Sequence, residues 1–168
     1  MSAPLILLDT SSSMTSPVGS RRRIDVLADI LTSVLPATPN VRLFSFNTVV
    51  TELEHAITEH GIHLPEPEGS TALHRAIAQV AALHPNPLIV ISDGEPDDAR
   101  AALDAASSLG CVIQTFYCGD ETNRAAISFL RDLALCSRGG IGRMRIGNLA
   151  NPEQLAADLR PLLAGPAR

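Results

Sequence analysis

Residues 5–14 read LILLDTSSSM, four apolar residues that run into an acid and then into a series of hydroxyl side chains. The apolar run Leu5–Leu8 lacks the alternation of a half-exposed strand, so it predicts a strand that is buried on both faces. Oxygen-bearing side chains then follow at alternate positions, Asp9, Ser11 and Ser13. This stretch therefore predicts a central strand of a parallel sheet that ends in a set of oxygen ligands.

Short apolar runs and helical patterns alternate along the rest of the chain. Residues 88–92 and 111–117 are continuous apolar runs and predict two more buried strands, whereas 41–46 and 49–53 flank an Asn-Thr turn and predict an antiparallel hairpin. A last short strand is predicted at 144–146. Helical spacing or helix-start signals predict five helices, over 24–35, 73–84, from 96 onward, over 124–136 and from 151 onward.

Three local signals refine this pattern. Pro and Gly are frequent in residues 54–70, which predicts a loop. Pro96, followed by two acids, predicts the first turn of the third helix. The stretch Asn151–Gln154 predicts the start of the last helix, with a capping side chain and the character of a capping box.

The order β-α-β-β-α-β-α-β-α-β-α predicts the fold class. It is an α/β fold with a doubly wound, mostly parallel six-stranded sheet, one antiparallel edge strand and helices on both faces. We expect residues 1–168 to form a single domain, because the chain has no repeat, low-complexity segment or linker. Ligands of such sheets bind beyond the carboxyl ends of the strands, where the strand order reverses.

Composition excludes several function classes. The net charge of −5 argues against a broad nucleic-acid-binding surface. All 13 basic residues are Arg, and the absence of Lys excludes a P-loop and any mechanism that needs a catalytic Lys. No run approaches the roughly 18 apolar residues of a membrane span. Residues 1–8 lack the features of a signal peptide, so we expect a soluble cytoplasmic protein that does not bind a membrane.

Two more groups of oxygens extend the pattern of the first strand. The strand 88–92 leads into Asp93, and Ser70 and Thr71 stand before a predicted helix. If the two strands that lead into an Asp are neighbours, two carboxylates and three hydroxyls converge at one edge of the sheet. Such a set of hard oxygens suits Mg²⁺, with Mn²⁺ or Ca²⁺ as alternatives, and does not suit Zn²⁺. Taken singly, the same residues also fit turns and helix caps.

The charge of these groups bears on function. Two carboxylates neutralise a divalent cation, and hydroxyl ligands add no charge. The cation therefore stays electrophilic towards one further anion.

The stretches D-T-S-S-S-M, G-S-T-A-L and I-S-D-G-E-P resemble the metal-ion-dependent adhesion site of a von Willebrand factor A (VWA) domain, and the resemblance covers nearly the whole chain. It implies that the metal ligands are Asp9, Ser11, Ser13, Thr71 and Asp93. In that family a Glu or Asp of a partner protein completes the coordination. The resemblance thus implies a Mg²⁺-dependent protein-binding module, without catalytic residues, whose partner acts in trans. Intracellular members of the family often act as partners of ATPases, chelatases or multi-protein complexes, and the resemblance implies such a role for this chain as a bacterial-type member.

Two other functions stay open at this point. A Mg²⁺-dependent, phosphatase-like phosphotransfer enzyme can use a similar sheet, although a haloacid-dehalogenase-like site requires D-x-D and position 11 is Ser. A receiver-like site requires a Lys, and the chain has none. The other alternative is a structural member of the family that binds no metal.

Three further groups of residues have two interpretations each. Arg21–Arg23 fit either a solvated helix start or outer contacts to an acidic partner. His55, His60 and His63 could hold a second metal, but a solvated loop explains them better. The three cysteines, Cys111, Cys118 and Cys136, lack metal-site spacing and are expected to be buried free thiols rather than redox groups.

Overall fold

Six strands form the central sheet of the computed structural model, which describes residues 2–53, 57–58 and 61–164. Each strand lies within two residues of the bounds predicted from the sequence, because its apolar run is flanked by polar or turn-forming residues. In chain order they are β1 (Leu5–Asp9), β2 (Arg42–Phe46), β3 (Val50–Glu52), β4 (Leu88–Ser92), β5 (Ile113–Tyr117) and β6 (Met144–Ile146).

Five α-helices connect these strands in the described part of the chain. They are α1 (Arg23–Val34), α2 (Leu73–Ala81), α3 (Ala99–Ser107), α4 (Arg124–Leu135) and α5 (Pro152–Leu163). The spatial order of the strands is β6-β5-β4-β1-β2-β3, and every neighbouring pair is parallel except β2 with β3. The predicted sheet with one antiparallel edge strand is therefore confirmed.

The helices cover both faces of the sheet, and β1 shows why its sequence is continuously apolar. Ile6 and Leu8 pack in a cluster with α1 and α5, whereas Leu5 and Leu7 pack in a second cluster with α2, α3 and α4. All four side chains are at most 1% exposed. Because successive side chains of a strand point to opposite faces, both faces of β1 must be apolar.

The segment 54–70, predicted to be a loop, contains a short antiparallel ribbon. Ile57–Thr58 pairs with Gly61–Ile62, and Gly61 has a φ of 101°, a region that glycine adopts without strain. The ribbon is fastened to α1, since the Ile62 N–H donates to the Thr32 hydroxyl at 2.9 Å. Local Pro and Gly content predicted a loop and not this ribbon or its contact with α1.

The start of α3 and the end of α2 differ from the sequence prediction. Helix α3 begins at Ala99 and not at Pro96, because the Asp98 carboxylate accepts the Ala101 N–H at 2.9 Å and so caps the helix. Helix α2 ends at Ala81, and His84 has a φ of 48°, outside the helical region. His84 is thus not on the apolar face of α2, as the sequence pattern had allowed.

Helix α5 begins at Pro152 as predicted, but without the predicted cap. The Asn151 side chain makes no capping hydrogen bond. The Gln154 side chain donates instead to the Asp158 carboxylate one turn further on, at 3.0 Å, so the capping box does not form. Pro152, which has no N–H to satisfy, reduces the need for a capping side chain.

The three cysteines are free thiols. Cys111 and Cys118 are buried as expected, whereas Cys136 is partly exposed. Burial raises the pKa of the Cys111 and Cys118 thiols, which disfavours the reactive thiolate. None of the helices among the described residues is long and apolar enough to cross a membrane.

Candidate metal centre

The carboxyl ends of β1 and β4 lie side by side, where the strand order of the sheet reverses. Strand β1 pairs with β2 on one side and with β4 on the other, and all three run in parallel. The register places Leu8 opposite Ile91 and Asp9 opposite Phe46. Asp9 and Asp93 therefore leave adjacent strand ends, which is the arrangement that the sequence prediction of a metal site requires.

Asp9 is a buried carboxylate that is held by two hydrogen bonds. Its Oδ1 accepts the Ser11 N–H at 2.8 Å, and its Oδ2 accepts the Ser92 hydroxyl at 2.6 Å. Burial raises the pKa of Asp9 from 3.8 to about 6, the hydrogen bonds from Ser11 and Ser92 oppose this rise, and the charge of Asp93 adds to it. The fold thus buries a carboxylate at the end of β1, where a cation would stabilise its ionised form.

The side chains of Ser11, Ser13 and Asp93 form a connected series of oxygens. The Ser13 hydroxyl donates to Oδ1 of Asp93 at 2.7 Å, and it lies 3.3 Å from the Ser11 hydroxyl. Ser11 and Asp93 are buried, whereas Ser13 is exposed. The short 3₁₀ helix Ser12–Thr15 is anchored by the fully buried Met14, and it presents the Ser13 hydroxyl to the Asp93 carboxylate. The exposed Ser13 thus links two buried groups, the Ser11 hydroxyl and the Asp93 carboxylate.

Thr71 lies on a third loop. Hydrogen bonds join this loop to the loop after β1 and to the loop after β4. The N–H and hydroxyl of Ser12 donate to the Gly69 carbonyl at 3.2 and 3.1 Å. The Asp97 carboxylate accepts the Thr71 N–H at 2.9 Å, and the Asp97 N–H donates to the Thr71 carbonyl at 2.9 Å. Within the described part of the chain the Thr71 hydroxyl makes no hydrogen bond, so it remains available to a ligand. We call this edge of the sheet, formed by the ends of β1 and β4 and the Thr71 loop, the rim.

Arg23, the first residue of α1, contacts the Asp93 carboxylate through the oxygen that Ser13 does not use. Its Nη1 lies 2.7 Å from Oδ2 of Asp93 and donates also to the Ser13 carbonyl at 3.4 Å. The side chains of Arg23 and Asp93 are 16% and 0% exposed. Each oxygen of Asp93 thus has one partner, the Ser13 hydroxyl on Oδ1 and the Arg23 guanidinium on Oδ2.

The two arginines that precede Arg23 pair with surface acids of this chain. Arg21 forms an ion pair with Asp29, and Arg22 pairs with Asp25 and Glu66. All of these side chains are at least 39% exposed. Arg21 and Arg22 are solvated as expected, but they lie in a short antiparallel ribbon with Pro17–Val18, and only Arg23 starts the helix. Their charges are already paired within this chain, which favours a solvated role over outer contacts to a partner.

The spacings among the oxygens of Ser11, Ser13 and Asp93 are compatible with a small divalent cation. Adjacent ligands of an octahedral Mg²⁺, each about 2.0–2.1 Å from the metal, lie about 2.9 Å apart. The observed spacings of 2.7 Å between Ser13 and Asp93 and 3.3 Å between Ser11 and Ser13 bracket that value. No cluster of three or more His, Cys, Asp or Glu side chains that could hold a metal occurs among the described residues. The carboxylates of this set number two, Asp9 and Asp93, and the neighbouring hydroxyls are oxygens of the kind that Mg²⁺ and Mn²⁺ accept.

The second metal site considered for the histidine loop is not tested by the described residues. His63 is exposed, and His55 and His60 lie outside the described residues. Of the five predicted ligands, Asp9 ends β1 and the other four lie on three loops, which are joined by the hydrogen bonds described above. Their role as metal ligands remains a prediction.

Sequence reasoning missed three residues that support this site. Ser92 is a polar residue at the end of an apolar strand, and this was the available signal for its contact with Asp9. Asp97 was interpreted as a helix-start acid, although its carboxylate binds the Thr71 N–H. The ion pair of Arg23 with Asp93 had no local signal, because the two residues are 70 positions apart.

Comparison with solved structures identifies the fold. The chain aligns over 98% of its length with 99% of an aerotolerance-related membrane protein from Bacteroides fragilis, solved with multiple mutations to serines, at a TM-score of 0.68 and 17% identity. It aligns over 100% of its length with 99% of the vWF domain of the type V pili tip protein Mfa5 from Porphyromonas gingivalis, at a TM-score of 0.56 and 11% identity. The chain therefore has a VWA fold, as its motifs predicted.

These likenesses concern the fold alone, because both identities are low. No protein-family model and no curated protein sequence matches the chain. The function must therefore be argued from the geometry of the candidate metal centre.

Proposed function

We propose that this chain is a Mg²⁺-dependent protein-binding module. Its metal is held by Asp9, Ser11, Ser13, Thr71 and Asp93, partly through water, with Mn²⁺ or Ca²⁺ as possible substitutes. The observation that carries the proposal is the spacing of the oxygens of Ser11, Ser13 and Asp93, 2.7–3.3 Å between neighbours, at the switch point of a VWA fold. When bound, the cation would supply an electrophilic centre for one anionic oxygen of a partner.

The charge of the ligand set favours an Asp or Glu of the partner as that anion. Asp9 and Asp93 are the carboxylates of the set, and the serines and the threonine are neutral. A third acid from the chain itself would neutralise the cation further and weaken its attraction for a partner. Ser13 is exposed, so a partner side chain can approach the rim from solvent.

The surface around the rim further defines the partner. Val49 is 63% exposed at the turn between β2 and β3, and the Ser70 N–H donates to the neighbouring Thr48 hydroxyl at 3.2 Å. This places an apolar contact beside the Thr71 loop. Four exposed acids lie on the loops of the same rim, Glu68, Glu95, Asp97 and Asp98. The acid of the partner should therefore stand among neutral or basic residues, because a broadly acidic surface would be repelled.

The proposal places the protein in the cytoplasm, where a partner in trans could belong to an ATPase-associated or other multi-protein complex. The three free thiols support a reducing compartment. The partner itself is defined only by its chemistry, a carboxylate that reaches the metal.

Calorimetry with Mn²⁺ tests the metal site. We expect the wild type to bind one Mn²⁺ and Asp9→Ala to lose this binding, because the buried carboxylate is the anchor of the ligand set. Asp104→Ala, which removes an exposed acid on α3, is the matched control and should bind as the wild type does. Equal binding by the wild type and Asp9→Ala would exclude the proposed site.

A pull-down from host extract, run in Mg²⁺ and in EDTA, tests the partner contact. Thr71→Ala should weaken capture of the partner without unfolding the protein, because a rim hydroxyl contributes little to the core. Ser11→Asp should block capture even where metal still binds, since the new carboxylate takes the role of the partner. A partner that is retained in EDTA and by both variants binds another face, and the proposed mechanism would then be wrong.

The proposal also expects no hydrolase activity. The loop after β1 lacks the second acid of D-x-D, and no Lys is present to hold a transferring phosphoryl group. A generic phosphate ester should therefore not be turned over in Mg²⁺. Metal-dependent turnover that Asp9→Asn abolishes would favour the phosphotransfer alternative.

A further inference from the structure

The positively charged side chain of Arg23 lies inside the candidate metal centre. The side chain of Arg23 is 16% exposed, compared with 46% for Arg21 and 39% for Arg22. Its partner Asp93 has a fully buried side chain, whereas the acids that pair with Arg21 and Arg22 lie at the surface. The three consecutive arginines thus have different roles, and Arg23 alone among them contacts a proposed ligand.

The position of Arg23 is not explained by its helix. Arg23 is the first residue of α1, and the dipole of a helix disfavours a cation at this end. The ion pair of 2.7 Å with Asp93 offsets that effect. On its other side Arg23 lines a cleft of about 200 Å³ together with Cys118 and Glu121, so water can occupy the space if the side chain is shortened.

We infer that Arg23 is a resident counter-cation that weakens metal binding at this site and leaves the metal-loaded site with a net positive charge. The inference rests on the proposed function. Asp9 and Asp93 supply two negative charges, so a divalent cation alone would leave the site neutral. With the Arg23 guanidinium on Asp93, the loaded site carries one positive charge, which favours the anionic ligand of a partner.

A purely structural role for Arg23 predicts the opposite result. If the guanidinium serves only to position Asp93, its removal should misplace a ligand and lower the affinity for metal. If it acts as a counter-cation, its removal should raise that affinity, because repulsion between two cations that share one carboxylate is lost. The sign of the change in affinity therefore distinguishes the two roles.

The test measures the Mn²⁺ affinity of the full chain by calorimetry at about 0.15 M salt, which screens exposed charges more than buried ones. Arg23→Gln removes the charge, and we expect its affinity to rise on the order of tenfold. Arg23→Lys keeps the charge and should stay near the wild-type affinity. Arg22→Gln is the matched control, since it removes one charge from the adjacent residue but leaves Asp93 paired.

Thermal unfolding in EDTA gives a second readout that needs no metal. Arg23→Gln should lower Tm by about 4 °C or more, because it leaves the buried Asp93 without its cation. Arg22→Gln should lower Tm less, since its partners are exposed. Mn²⁺ should then raise the Tm of Arg23→Gln by more than it raises that of the wild type.

The outcomes separate this inference from the proposed function. Tighter Mn²⁺ binding by Arg23→Gln, with Arg23→Lys and Arg22→Gln near the wild type, supports the counter-cation. Equal or weaker binding by Arg23→Gln overturns it and leaves the metal site intact. If the wild type, Arg23→Gln and Asp9→Ala alike fail to bind Mn²⁺, the proposed function is wrong and the inference falls with it.

Discussion

Asp9→Asn should stabilise the metal-free protein at neutral pH, although it removes a proposed metal ligand. The folded state raises the pKa of Asp9 from 3.8 to about 6, chiefly through burial. The folded protein therefore binds more protons than the unfolded chain between these values, and its stability falls as the pH rises through this window. Asparagine has nearly the same shape as aspartate but no charge, so the variant avoids this loss.

The magnitude follows from the same pKa. A rise from 3.8 to about 6 corresponds to a loss of about 3 kcal/mol above pH 6, at about 1.4 kcal/mol per tenfold change in proton affinity. This is an upper bound, because the amide group introduced by Asp9→Asn cannot accept both hydrogen bonds. The Ser92 hydroxyl would have to turn from position 9 towards the Gly94 carbonyl, 3.5 Å away. We therefore expect a net gain of about 1–3 kcal/mol.

Urea unfolding in EDTA at pH 5 and pH 7.5 measures this effect. The free energy of unfolding of Asp9→Asn should exceed that of the wild type clearly at pH 7.5 and by less at pH 5. The exposed control Asp104→Asn should show no such dependence on pH. Mn²⁺ at pH 7.5 should stabilise the wild type and not Asp9→Asn. If Asp9→Asn is less stable than the wild type by the same amount at both pH values, the carboxylate is a structural acceptor and the reasoning from burial is refuted.

Three further predictions concern the scaffold, and each is checked by urea unfolding. Leu7→Ala should cost about 2–5 kcal/mol, because Leu7 is fully buried in the central strand; a loss below about 1 kcal/mol would contradict that packing. Tyr117→Phe should cost about 1 kcal/mol through loss of the 2.6 Å hydrogen bond to the Asp120 carbonyl, and an unchanged midpoint would show that water replaces it. Gly142→Ala should cost about 3 kcal/mol or more, since a Cβ there would lie 2.1 Å from the Ile113 carbonyl oxygen; native stability would mean that the backbone can shift.

The sequence by itself determined the six strands of the sheet and the oxygen-rich character of the end of β1. Leu5–Leu8 and the run 88–92 are continuously apolar, and a strand buried on both faces needs that pattern wherever its neighbours lie. The end of β1 and the loop after it carry Asp9, Ser11 and Ser13 within five residues, so their chemistry is also local. These features depend only on residues that are close together in the chain, so they can be predicted without knowledge of the tertiary structure.

Only the tertiary structure decided which strands are neighbours and which side chains meet. That Asp93 lies beside Ser13 depends on the pairing of β1 with β4, and the ion pair of Asp93 with Arg23 depends further on how α1 packs against the sheet. The same holds for Asp97, whose carboxylate holds the Thr71 loop instead of a helix end. Such contacts join residues far apart in the chain, and their free energy depends on packing of the whole sheet, which no local pattern records.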